Sequence, residues 1–155
     1  MYVYKFKGMP RKGSHGSFAV YVFGDGLVEV ALGGLGTEMD KGGRALGVLG
    51  AAGGLARGIQ VAGRITSRDE AADQVGATAE HAADLASGLE AAEAIPLASI
   101  AEVRVEKGLL KMRRFVIKTT DGAERIYTYT DKAHPVPTLS AVFGPMLGDR
   151  FRTPS

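Results

Sequence analysis

The sequence predicts an α+β fold: a small antiparallel β-barrel or bent sheet, capped by a C-terminal helix and interrupted by an inserted antiparallel helical hairpin. Three observations carry this expectation. Short strand-like runs separated by glycine-containing turns occupy both ends of the chain. Small residues recur every three or four positions through the middle, and one apolar stripe of helical period closes the sequence. The 155 residues suit one domain over 1–155, large enough to bury about two thirds of its unfolded surface without a metal or a disulfide.

The first strands are expected at Tyr2 to Lys7, Ser17 to Phe23 and Leu27 to Leu32, with Gly24-Asp25-Gly26 as a hairpin turn that permits positive φ. Met1 to Lys7 alternates as a strand does and lacks the apolar run of a signal peptide. In the third strand Val28, Val30 and Leu32 alternate with Glu29, which predicts one buried face and one wet face.

An insertion is expected over 37–95. Gly43, Gly47, Gly50, Gly54 and Gly58 fall on one helical face. Each interior glycine costs about 1 kcal/mol of helix propensity against alanine, a cost that close packing of a second backbone offsets. Ser67 and Glu70 form a capping-box pattern for a second helix, along which Ala72, Val75, Ala79, Ala82, Ala86 and Leu89 make a narrow seam. The two small-residue faces predict a hairpin turning near Thr66. Leu46, Leu49, Leu55, Ile59 and Val61 exceed what the alanine seam covers, so they are expected to meet the barrel, another copy or lipid, with self-association the preferred use. Arg44, Arg57 and Arg64 punctuate this arm and argue against its insertion into a membrane.

Strands resume at Ile100 to Lys107, Leu110 to Thr119 and Ala123 to Thr130, joined by turns at Lys107-Gly108 and Asp121-Gly122. Leu110 and Met112 differ in parity from Phe115 and Ile117, so a β-bulge at Arg113-Arg114 is expected to bring all four inward. Leu139, Val142, Phe143, Met146 and Leu147 then define a closing helix, which Gly144-Pro145 is expected to kink or divide.

The net charge of +2 is too small to argue for nucleic acid. Its distribution is uneven: residues 1–66 carry eight basic and four acidic groups, 67–95 one and seven, and 96–155 ten and six. Arg11, Lys12, Lys111, Arg113, Arg114 and Lys118, with Arg104 and Lys107 near them, are the candidate anion-facing residues, set against the ordinary use of lysine and arginine on outward strand positions. Tyr127 and Tyr129 read as packing residues. No cysteine is present, which removes disulfide and thiolate-metal chemistry and fits the cytoplasm. Gly33-Gly34-Leu35-Gly36 does not continue into a dinucleotide fingerprint, because Met39 stands where the third glycine belongs. His15, His81 and His134 have no second histidine at ligand spacing, and His81 with Glu80 and Asp84 reads as a solvated helical surface. No catalytic residue, metal site or cofactor is expected.

Gly16-Ser17-Phe18-Ala19-Val20-Tyr21-Val22-Phe23-Gly24-Asp25-Gly26-Leu27-Val28-Glu29-Val30 resembles the early hairpin of GRAM and bacterial pleckstrin-homology-like (PH-like) domains. Ile95 to Val103 is similar to the segment that follows it there, and Ile117 to Gly122 and the final helix also fit. The resemblance covers about two thirds of the chain and implies a barrel used for binding or assembly rather than catalysis. The long insertion departs from that pattern. So does the Gly8 to Gly16 loop, where Arg11 and Lys12 are not followed by the basic strand residues of phosphoinositide-binding members. The expected function is a non-enzymatic module whose insertion mediates protein contact, foremost with its own copies. The alternative is a peripheral membrane or anionic-ligand binder using the basic strands.

Overall fold

A computed structural model describes residues 1–33 and 68–154. β1 (Tyr4–Pro10), β2 (Ser17–Phe23), β3 (Gly26–Gly33) and β4 (Ala92–Pro96) make one antiparallel sheet in that order. β5 (Ile100–Lys107), β6 (Met112–Thr119), β7 (Glu124–Thr130) and β8 (Phe151–Arg152) make a second, ordered β7-β6-β5-β8, in which β8 joins β5 in parallel. A 3-10 turn at Leu97–Ser99 carries the chain from one sheet to the other. Among the described residues the sheets approach at β1 and β7 through an isolated bridge, Arg11 to Tyr127, so the arrangement is two facing sheets and not a closed barrel.

Side-chain alternation divides the apolar residues of the first sheet between two cores. Phe6, Phe18, Val20, Val22, Leu27 and Ile95 face the second sheet and meet Val103, Val105, Phe115, Ile117 and Tyr127. Aromatic rings dominate the centre: Phe6 stacks on Phe115 at 4.4 Å between centroids, and Phe115 lies 5.6 Å from Phe143. The opposite face of the same sheet, Ala19, Tyr21, Phe23, Val28, Val30 and Leu32, is covered by helices. Both faces of β3 are therefore buried. The expectation of one wet face fails because the insertion lies over Val28 and Val30, while Glu29 points between the sheets and is 6% exposed.

Among the described residues the covering layer contains α1, described over 68–78, and α2 (Ala82–Ser87). The alanine seam exists, but Ala72, Ala79, Ala82 and Leu85 are buried on the sheet, and Ala79 to His81 break the single long helix expected from the seam. The break has a local cause. The Asp84 carboxylate accepts the His81 N–H at 3.0 Å, and Asp25 Oδ1 accepts the Ala82 N–H at 3.0 Å, so a new helix start is capped at that point. Small residues let the layer sit close: a Cβ on Gly76 would lie 3.0 Å from the Tyr2 ring. Lys5 fastens α1 to β1 by ion pairs to Asp69 (2.9 Å) and Asp73 (2.8 Å), and the Tyr21 hydroxyl donates to Asp73 at 2.7 Å. Ala92–Pro96, whose first four residues were expected inside the insertion, is β4 and pairs with β3 from Val30↔Ala92 to Gly26↔Pro96.

Three local expectations are corrected. Gly24 and Gly26 do not adopt positive φ. Gly26 answers a close approach, since a Cβ there would stand 2.5 Å from the Ile95 carbonyl oxygen. No bulge interrupts Arg113-Arg114: β6 pairs residue by residue with β5 and β7 through both arginines. Leu110 belongs to the turn, at φ +55°, and Met112 keeps the parity opposite to Phe115 and Ile117 and stays outside their core cluster, so the four are not brought inward together. Finally, α3 (Val136–Leu147) is not divided at Gly144-Pro145: it runs through Pro145 as one element and buries Leu139, Phe143 and Leu147. Arg150 then donates to the Leu97 and Ile100 carbonyls at 3.2 and 2.8 Å, and Phe151 stacks on Phe143 at 5.2 Å, which fixes the chain end at the corner between the sheets.

Candidate functional site

The glycine face (Gly43, Gly47, Gly50, Gly54, Gly58) and its apolar companions (Leu46, Leu49, Leu55, Ile59) lie outside the described residues. The basic candidates are described, and they do not form one patch. Arg11 turns inward to Glu29, Nη1 to Oε1 2.5 Å, while its guanidinium stacks 4.4 Å from the Phe18 ring. Lys12 is exposed in the β1–β2 loop. Arg114 and Lys118 share the outer face of β6, where Arg114 pairs with Glu106 at 3.4 Å. Arg113 has the opposite parity and pairs with Asp131 at 3.0 Å. Arg104 is held among Glu102 (3.7 Å), Glu106 (2.5 Å) and Glu124 (2.7 Å), so the outer face of the second sheet is a neutralised ladder rather than a cationic one.

Two groupings were not foreseen. In the first, the Glu29 carboxylate is saturated between the sheets by Arg11, by Arg125 Nη1 at 3.3 Å, and by a short hydrogen bond from the Tyr127 hydroxyl. Arg125 also reaches Glu93 at 2.8 Å, so β1, β3, β4 and β7 meet in one network. Burial, then the neighbouring carboxylate, pushes the Tyr127 phenol well above its ordinary range, which keeps it a donor. The sequence signal was a lone acid in the apolar run of β3. Reading it as wet hid it.

The second grouping is the corner formed by the β5–β6 turn and the end of β7. Gly108 N–H donates to the Met112 carbonyl at 3.0 Å, Met112 N–H to Leu109 at 3.0 Å, and Asp131 N–H to Lys111 at 3.0 Å, so the turn is tied both to itself and to the neighbouring strand end. Lys107, Lys111, Arg113, Asp131 and Lys132 line an open cavity of ≈ 520 Å³ there. Among the described residues Lys107, Lys111 and Lys132 make no ion pair, and Asp131 is the one acidic residue in the lining. Lys111 and Arg113 were among the sequence candidates, and Lys107 was named beside them. Lys132 was not, because its approach to the turn depends on β7 pairing. Behind Arg113, its register partner Tyr129 has a buried hydroxyl without a hydrogen-bond partner, and burial pushes that phenol up to about 12.

The histidines are apart. His81 starts α2 and lies 3.3 Å from Asp25, His15 is exposed in the β1–β2 loop, and His134 is buried with Nδ1 2.6 Å from the Tyr4 hydroxyl. Among the described residues no group of three or more His, Cys, Asp or Glu side chains is placed to hold a metal, and no helix is long and apolar enough to cross a membrane. Comparison with family models, with curated proteins and with solved structures gives no match, so the functional reading rests on this geometry.

Proposed function

We propose that the chain is a non-enzymatic binding module on a PH-like frame, and that its ligand-facing end is the cationic corner between the β5–β6 turn and the end of β7. The two facing, mainly antiparallel sheets and the helix packed beside them support the frame. One observation carries the binding reading: among the described residues, three lysines without ion pairs stand around an open cavity, whereas arginines elsewhere on the second sheet are paired with carboxylates. Like charges gathered on one rim repel each other and raise the local positive potential. That arrangement costs stability and gains attraction for anions. The ligand class is anionic, with several negative charges.

The test is titration of inorganic polyphosphate into the protein by calorimetry at several salt concentrations. Binding that weakens as salt rises, and that falls about tenfold or more in Lys111→Glu/Lys132→Glu, is expected from screened Coulomb attraction. Binding that is unaffected by both salt and charge reversal contradicts the reading.

A further inference from the structure

The apex of the cationic corner is apolar. Leu109 is 86% exposed and Leu110 is 100% exposed. Leu110 also sits at φ +55°, a left-handed backbone position that glycine or asparagine occupies at less cost than leucine. A large apolar side chain is thus held at a turn position that disfavours it and is given no neighbour of its own. Single exposed leucines are ordinary, but two in sequence at a projecting tip make a patch. Arg114 borders a second cavity of ≈ 470 Å³ on the other flank, with Leu109 and Met112, and Lys107 lines both cavities.

We infer that the β5–β6 turn docks on an anionic lipid bilayer, Leu109 and Leu110 entering the headgroup–acyl boundary while Lys107, Lys111 and Lys132 meet the lipid phosphates. This inference rests on the anion-binding reading of the same corner and adds the source of the anion. The charge pattern selects the occupant. A negatively charged surface complements these lysines, which make no ion pair among the described residues, and each adds to the attraction near such a surface. The apolar groups stand exposed at the turn beside the two open cavities, and a fluid interface accepts them without a matching pocket, whereas a rigid partner needs a cavity to receive them. Apolar burial and lipid charge then act together, as in interfacial anchors that use two signals.

Co-sedimentation with phosphatidylcholine vesicles, with and without phosphatidylserine, tests the inference. The variants are Leu109→Ser/Leu110→Ser and Lys111→Glu/Lys132→Glu, with polyphosphate calorimetry run in parallel. Both leucines face solvent, so their replacement leaves the packed cores intact. Wild type is expected to bind only the phosphatidylserine vesicles. The leucine variant is expected to lose about tenfold or more of that binding while holding polyphosphate as wild type does, and the lysine variant to lose both. Equal vesicle binding by wild type and leucine variant overturns insertion and leaves the anion site standing. Polyphosphate binding without vesicle binding in wild type overturns the bilayer as the source, and binding of neither overturns both readings. Self-association that the leucine variant abolishes assigns the apex to protein contact and overturns the membrane role.

Discussion

Glu29 shows how one side chain constrains four strands. A buried carboxylate costs several kcal/mol to desolvate, and Arg11, Arg125 and Tyr127 are the groups that offset this cost. Removing the acid leaves guanidinium groups facing each other between the sheets. Glu29→Gln is therefore expected to lower the unfolding free energy by about 3–5 kcal/mol, whereas Tyr127→Phe, which removes a single donor, costs about 1–3 kcal/mol. Chemical denaturation of the two variants measures both values, and equal, small losses would mean that the network contributes little.

Titration at two other residues gives the molecule an acid-sensitive side. Burial opposes the Asp73 charge, but the hydrogen bonds from Lys5 and Tyr21 outweigh it and hold the carboxyl below its ordinary range. Its stabilisation is present above the unfolded carboxylate range and is lost as pH falls through the folded value. His134 is lowered by burial and then by Lys7, so its neutral form is favoured in the folded state. The protonated unfolded histidine then gains as pH falls below about 6.5, the ordinary histidine value. Both contributions have the same sign. Thermal midpoints are expected to decline from neutral pH toward acid in two stages, and His134→Gln is expected to flatten the upper one; a midpoint that rises on acidification contradicts the assignment.

Among the elements, β3 is the hub, since it pairs with β2 and β4 and carries a core on each face. Gly26 is where that hub is tightest. Gly26→Ala would force a Cβ against the Ile95 carbonyl, a backbone atom that moves only with β4. Overpacking of this kind costs about 1–3 kcal/mol. Amide hydrogen exchange is expected to show faster exchange of the β3–β4 ladder in this variant, with β5 to β7 protected as before. Uniform protection would mean that the close approach is relieved elsewhere.

The same element explains what was legible. Ser17–Phe23 and Ile100–Lys107 were readable to the residue, because their apolar runs end at glycine or at a charged turn. Which face of β3 is interior was not readable, because both are covered, and periodicity cannot say which cover is a sheet and which a helix. Ala92–Pro96 was missed because alanine and glutamate carry no strand preference, and only pairing with β3 makes the segment extended. The alanine seam packs against β-branched and aromatic residues of the first sheet, while the glycine arm expected opposite it lies outside the described residues.

For the whole molecule, the arrangement separates a dense interior from a charged corner. The interior is filled by Phe6, Phe115, Tyr127 and Phe143, and the helical layer shields the far face of the first sheet. Among the described residues, the β5–β6 turn exposes Leu109 and Leu110 beside lysines that make no ion pair. Half of that corner was visible as sequence, since Lys111 and Arg113 stand near Leu110. The other half needed Lys132 to be brought across by the pairing Met112↔Thr130.

The most direct measurement is a two-dimensional ¹⁵N–¹H spectrum recorded while inorganic polyphosphate is added. The account predicts shifts confined to Lys107 through Arg113 and to Asp131 and Lys132, reversed by salt. Shifts centred instead on Lys12 or Lys118, or an unchanged spectrum at saturating polyphosphate, would contradict it.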